Sequence, residues 1–140
     1  MLQKTAEYAL RAIVYLAQNP DASQSADKVA AVTRIPRRYL HRVLQQMVQA
    51  GLVRSQPGPH GGYSLARPAE EIPLIDVINA FGPIDRIRKC PLGLASHTGL
   101  CPLHRELDEA YASIEAAFSR VTIAQILDKR SKFIPLCEHC

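Results

Sequence analysis

Apolar side chains recur at helical spacing in three successive segments of the first fifty residues, and this pattern constrains the fold more than any other feature. The spacing predicts a helix over 4–18, which Asn19-Pro20 ends. Ser25 fits the N-cap of a second, short helix. Pro36 suits the first position of a third helix, and Gly51 its left-handed C-terminal cap. Three helices with a short turn before the third form a helix-turn-helix arrangement.

A glycine-rich turn follows the third helix. Residues 52–55 resemble a short strand, residues 56–62 have turn chemistry with three glycines, and residues 63–66 alternate apolar and small polar side chains. The pattern predicts a β-hairpin, or wing. The expected fold class is therefore mainly α with a small β-hairpin, and residues 1–82 are predicted to form a winged helix-turn-helix domain.

A helix, a loop and a long helix are predicted after the wing. Pro73 begins the first of these helices, and Gly82-Pro83 ends it. Residues 83–101 show no periodicity and exceed the usual length of a connection, which is typical of functional loops. We interpret them as a cofactor-binding loop.

The segment 102–130 is predicted to hold a dimerisation helix and a short C-terminal helix. Apolar residues step alternately by four and three, as in a coiled-coil seam. They are Leu103, Leu107, Ala110, Ile114, Ala117 and Val121. Packing of this helix on its own domain is the alternative. Thr122 and Gln125 form a capping box that begins the short helix, and residues 131–140 are expected to be a loose tail.

Composition and charge limit the classes of protein to which the chain can belong. Hydrophobic residues make up 47% and charged residues 21%, which is typical of a globular chain. Neither a membrane-spanning segment nor a signal peptide is recognisable, so a cytoplasmic location is expected. Residues 1–69 carry two Lys and seven Arg against three acids, whereas residues 70–140 have a net charge of −2. The basic, Arg-rich first half favours a polyanionic partner.

Cations and amides of the third helix lie largely off its apolar stripe, which predicts a DNA-reading face. Arginine can bind guanine through two hydrogen bonds, and glutamine can bind adenine, so Gln45 and Gln46 belong to this face. The alternative is a solvated polar surface. The predicted DNA contacts in the helices and their turn are Ser25, Arg34, Arg37, Arg38, Tyr39, His41 and Arg42. Those of the wing are Arg54, His60 and Gly61.

The loop contains two cysteines that could bind a metal. Cys101 precedes His104 by about one helical turn, so a thiolate and an imidazole can face one centre. Cys90 lies earlier in the loop, close in sequence to Arg86, Arg88 and Lys89. These cations favour the thiolate form of the cysteine. These ligand types suit an iron–sulfur cluster or zinc. The alternative is that the thiols bind nothing.

A second pair of cysteines, Cys137 and Cys140, flanks His139 at the C-terminus. Such a pair can bind zinc or act in thiol redox chemistry, and the alternative is an incidental tail. Since no general base or suitable fold accompanies the pair, the chain is not expected to be an enzyme.

Three sequence stretches together resemble bacterial winged-helix regulators of the IscR/NsrR family over residues 1 to about 130. They are Gly51-Leu52-Val53, Gly61-Gly62-Tyr63-Ser64-Leu65-Ala66-Arg67 and Pro73-Leu74-Ile75-Asp76-Val77-Ile78. The resemblance implies a homodimeric transcriptional regulator that binds a partly palindromic DNA operator, with the long helix as the dimer interface. We expect this regulator to be a repressor. Many relatives have Arg where Pro57 stands, so a minor-groove contact would pass to Arg54 or His60.

The same resemblance implies a sensor of iron–sulfur, redox or nitric oxide status. Sensing members hold a cluster, here expected as [2Fe-2S], on three loop cysteines and in some cases a histidine. Cys90, Cys101 and His104 match the pattern, while Ser96 stands at the middle cysteine. His97 or the partner subunit's Glu7 would complete the ligands. Zinc is the alternative metal, and control by a protein partner or by thiol oxidation without a cofactor is the alternative mechanism.

Overall fold

A computed structural model of the chain describes residues 2–128, 130–136 and 138. The helices are α1 (Lys4–Gln18), α2 (Ala26–Thr33), α3 (Arg37–Gln49), α4 (Leu74–Asn79), α5 (Pro102–Arg120) and α6 (Ile123–Ile126). The strands β1 (Val53–Gln56) and β2 (Gly62–Leu65) lie between α3 and α4, and a single 3-10 turn at Ala69–Glu71 follows them. None of the helices described combines the length and hydrophobicity that a bilayer crossing requires.

Helix α1 forms the centre of the core. Ala9, Ala12 and Ile13 are fully buried, because α2, α3, α4, α6 and β2 all pack around this helix. Small alanines allow these elements to approach α1 closely, and the predicted bounds of 4–18 are confirmed.

Helices α2 and α3 form the predicted helix-turn-helix. The Ser25 hydroxyl accepts a hydrogen bond from the Lys28 backbone N–H at 3.3 Å and so caps α2. Arg34 ends α2 at a left-handed φ of 54°. Pro36 is the N-cap of α3, so this helix begins one residue later than the sequence predicts. Its apolar stripe is buried and consists of Leu40, Val43, Leu44 and Met47.

The wing is an antiparallel pair in which Val53 faces Leu65 and Gln56 faces Gly62. Each strand is offset by one residue from its predicted bounds. Tyr63 also exchanges two backbone hydrogen bonds of 2.8 Å with Gln24, a long-range pairing that the sequence does not reveal. A Cβ atom on Gly62 would overlap the Gln24 carbonyl oxygen, so only glycine permits this close approach.

The C-terminal helices attach to the domain through a second backbone bridge. The Leu74 N–H donates to Val121, and the Ile123 N–H donates to Ile72, each at 2.8 Å. Ile123 is fully buried beneath this bridge, and both hydrogen bonds of the predicted capping box at Thr122 are present. The start of α6 is thereby fixed against the start of α4.

Helix α5 packs on α4, yet none of its side chains is fully buried. Leu103 and Leu107 of the predicted seam are 63% and 40% exposed. The seam of a single protomer is therefore open to solvent along much of its length.

The tail also makes contacts, although the sequence predicts a loose segment. The Gln18 side-chain amide donates to the Pro135 carbonyl at 2.8 Å, and Leu136 packs on the core. The predicted thiol pair Cys137 and Cys140 lies outside the described residues.

Candidate nucleic-acid interface and cysteine loop

The face of α3 opposite its buried stripe is open to solvent. Arg38, Tyr39, His41, Arg42 and Gln45 are all exposed on it. Gln46 differs, because its side-chain amide donates to the Ala80 carbonyl at 2.7 Å. This amide therefore attaches α3 to the end of α4 in the free protein, and a role of Gln46 in reading DNA stays a prediction.

Arg37 lies at the start of α3 and contacts α2. Its Nη1 is 2.8 Å from Oδ1 of Asp27, and both side chains are largely exposed. Exposed ion pairs contribute roughly 0–1 kcal/mol, so a phosphate can compete for this guanidinium at little cost.

Two other predicted DNA contacts of the helix-turn-helix, Arg34 and Ser25, already make contacts within the chain. Arg34 is exposed, and its Nη2 lies 3.1 Å from Oε2 of Glu138 in the tail. The Ser25 hydroxyl is engaged in capping α2. Arg34 thus forms an ion pair with the tail, and Ser25 stabilises the start of α2.

The predicted DNA contacts of the wing lie at different positions along the hairpin. His60 is exposed in the turn, and the Gly61 N–H donates to the Gly58 carbonyl at 3.0 Å to close that turn. Arg54 instead lies on β1 and lines a cavity at the base of the wing together with Arg67. His60 is therefore the predicted side chain nearest the tip.

The beginning of the loop is attached to α5 by an ion pair that the sequence analysis missed. Arg86 donates from Nε to Oδ1 of Asp108 at 2.7 Å and from Nη2 to Oδ2 at 2.8 Å. The Ile87 N–H donates to the same carboxylate at 2.8 Å. Asp108 and Glu115 are seven residues apart and so share one face of α5, and Glu115 lies 3.7 Å from Arg86. That acidic spacing is the signal that could have indicated the pair.

The hydrogen bonds from the Arg86 guanidinium lower the pKa of Asp108 to about 2, with a further contribution from the Ile87 N–H. The carboxylate is therefore ionised over the whole physiological range, and the attachment of the loop to α5 persists throughout it.

The far end of the loop carries the predicted thiol–imidazole pair. Cys101 is the N-cap of α5, and its Sγ lies 3.3 Å from Nδ1 of His104. Both residues are half-buried. The inference that one helical turn would bring them to a common centre is supported by this distance.

The remaining predicted ligands are not gathered around that pair. Within residues 2–128, 130–136 and 138, no three His, Cys, Asp or Glu side chains are placed to hold a metal ion. Cys90 is half-buried, whereas Ser96 and His97 are exposed. Glu7 accepts a hydrogen bond of 2.8 Å from Nε of Arg11 in its own chain.

The Asp108 carboxylate should make the free energy of unfolding depend on pH in the acidic range. Because its pKa in the folded protein lies below the ordinary value, its stabilising effect is present above about pH 4 and is lost as the pH falls towards 2. We expect Asp108→Asn to be less stable than the wild type at neutral pH and to lose less stability on acidification. Urea unfolding at several pH values measures this, with the exposed Asp21→Asn as the control. An unchanged pH dependence in Asp108→Asn would contradict the assignment.

Comparison with known proteins agrees with this architecture. A family model described as "Rrf2: Iron-dependent Transcriptional regulator" matches residues 2–129. A predicted helix-turn-helix-type transcriptional regulator of Aquifex aeolicus is 31% identical over an alignment of 134 positions that covers 93% of each chain.

Solved structures share the fold at lower sequence identity. T. potens IscR superposes with a TM-score of 0.78 at 22% identity, covering 94% of this chain and 89% of the other. CymR, the global cysteine regulator of B. subtilis, gives 0.76 at 22% identity and covers 90% and 95%. Staphylococcus aureus CymR gives 0.74 at 23% identity and covers 93% and 100%. The winged-helix fold is thus confirmed, and the expected absence of enzymatic activity agrees with relatives that are regulators. The chain belongs to the Rrf2 family of transcriptional regulators.

Proposed function

We propose that this DNA-binding regulator is a cytoplasmic, homodimeric repressor that reads a partly palindromic operator and senses iron–sulfur, redox or nitric oxide status through residues 83–101. One observation carries the DNA-reading part of the proposal. Burial of the apolar stripe of α3 leaves its Arg-rich face uncovered. A helix with such a face fits the major groove.

We propose different roles for the α3 residues according to their position along the helix. Arg42 and Gln45 lie beyond the first turn on the exposed face and are proposed to read base edges. Arg37 is exposed at the start of the helix and is proposed to neutralise a phosphate, which adds affinity without sequence information. His60 at the turn of the wing is proposed to approach the minor groove.

Removal of the Arg42 guanidinium should reduce sequence selectivity. A bidentate contact to guanine contributes roughly 1–3 kcal/mol, so Arg42→Ala should bind the operator about 5- to 160-fold more weakly. Binding to a duplex of unrelated sequence should change much less. The operator is first selected from random duplexes, and affinities are then measured by fluorescence anisotropy. Arg120→Ala, at the end of α5, is the control. An equal loss on both duplexes would show that Arg42 contacts phosphate instead.

The open seam of α5 supports the proposed homodimer. Leu103 and Leu107 expose apolar surface on one side of this helix, while Asp108 and Glu115 on an adjacent side bind the loop. A second α5 would bury the apolar side. The dimer would present two copies of α3, which fits two half-sites about 34 Å apart.

A charge in the seam should separate the protomers. Leu107→Glu would bury an unpaired carboxylate between the two copies of α5, so we expect a monomer at micromolar concentration and a large loss of operator affinity. Sedimentation velocity measures the oligomeric state. Leu92→Glu makes the same substitution at a loop residue that is 75% exposed and should leave the dimer intact. A wild-type monomer, or a dimeric Leu107→Glu, would contradict the proposal.

The donor chemistry of the loop fits an iron–sulfur cluster, although among the residues that the structure describes one protomer supplies only the Cys101–His104 pair in contact. We propose Cys90 as the third ligand and either His97 or the partner subunit's Glu7 as the fourth. A bound cluster would supply one-electron redox chemistry. The chain's own contribution is the attachment of both ends of the loop to α5, through Arg86–Asp108 and through Cys101.

Iron content tests this part of the proposal. Protein purified without oxygen should contain iron and absorb visible light, and Cys90→Ala and Cys101→Ala should each lose both properties. Ser96→Ala should retain them, because a serine hydroxyl is a poor ligand for iron. Zinc without visible absorption would support the alternative metal. Metal-free protein that still responds to oxidants would support thiol control and would overturn the cluster.

A further inference from the structure

The first turns of α1 and α3 enclose a hollow of about 400 Å³. Its lining residues are Lys4, Thr5, Tyr8, Arg38 and Tyr39. We propose that this hollow binds a phosphate of the DNA backbone next to the groove that α3 enters. The inference rests on the proposed DNA-reading role of α3 and adds α1 to the DNA-binding surface.

Stacked side chains hold two cations at the hollow. The Cζ of Arg38 lies 4.7 Å from the centre of the Tyr39 ring, and Nζ of Lys4 lies 6.0 Å from the centre of the Tyr8 ring. The two rings pack against each other with their centres 5.8 Å apart. Cation–π contacts of this kind limit the motion of long cationic side chains. Charges from two separate helices are therefore held beside one concave surface.

The polar groups of the hollow suit an anion. Tyr8 lines the hollow and is only 6% exposed. Thr5 adds a second hydroxyl, and no acidic residue lines the hollow. Glu7, the acid adjacent to Tyr8 in the chain, is already paired with Arg11. A phosphate oxygen would accept a hydrogen bond from a hydroxyl of the hollow, while Lys4 and Arg38 neutralise the charge of the phosphate.

The position of the hollow favours DNA as the source of the phosphate. Arg38 and Tyr39 belong to the first turn of α3, the helix proposed to enter the major groove. Sugar–phosphate strands border that groove on both sides, so a strand passes close to the ends of an inserted helix. This geometry assigns Arg38 to phosphate rather than to a base, and it assigns Lys4 as a DNA contact that the sequence analysis did not identify.

The test is the salt dependence of DNA binding by Lys4→Gln. Loss of one phosphate contact should make the negative slope of log K against log salt shallower by about 0.9, and the same relation gives roughly fivefold weaker binding at about 0.15 M salt. The loss should be equal for the operator and for a duplex of unrelated sequence. Lys132→Gln, which removes the same charge from the exposed tail, should leave the slope unchanged. Thermal unfolding followed by circular dichroism verifies that both variants are folded.

The outcomes separate this inference from the proposed function. A wild-type slope for Lys4→Gln would overturn the phosphate site, while operator selectivity that depends on Arg42 would still stand. A loss confined to the operator would also overturn it, because phosphate contacts do not depend on sequence. Wild-type protein without salt-sensitive DNA binding would remove both claims.

Discussion

The packing of α3 on α1 is the contact on which the other proposed properties depend. Leu44 and Met47 are fully buried in the core that α1 organises, and this burial fixes which side of α3 faces outwards. With about 1.5–3 kcal/mol gained per fully buried large apolar side chain, rotation of α3 about its axis would be costly. The arginines are therefore held in place by the apolar residues of the same helix.

Helix α5 connects the loop with the proposed dimer interface. The loop is attached to one side of α5 through Arg86 and Asp108, and it ends at Cys101, where α5 begins. An adjacent side of α5 exposes Leu103 and Leu107. The end of α5 is followed by the bridge between Thr122 and Pro73. A chemical change in the loop would thus act on a rigid helix that contacts both the DNA-binding domain and the proposed partner.

Elements with a strong local pattern could be predicted from the sequence. The bounds of α1 and α5 follow from apolar periodicity together with Pro and capping residues, and the capping box at Thr122 has its expected hydrogen bonds. Contacts between distant residues could not be predicted, because no local pattern specifies them. The bridge between Gln24 and Tyr63, the anchoring of Gln46 on α4 and the Arg86–Asp108 pair all belong to this class. The distance between Cys101 and His104 was accessible because one helix holds both residues, whereas the position of Cys90 depends on an irregular loop.

Hydroxyl-radical footprinting of the selected operator tests the central claim most directly, because it reports where the protein approaches each DNA strand. Two copies of α3 held by paired α5 helices should protect two windows whose centres lie about 10 base pairs apart, related by two-fold symmetry. A single protected window, or protection without that symmetry, would contradict the account.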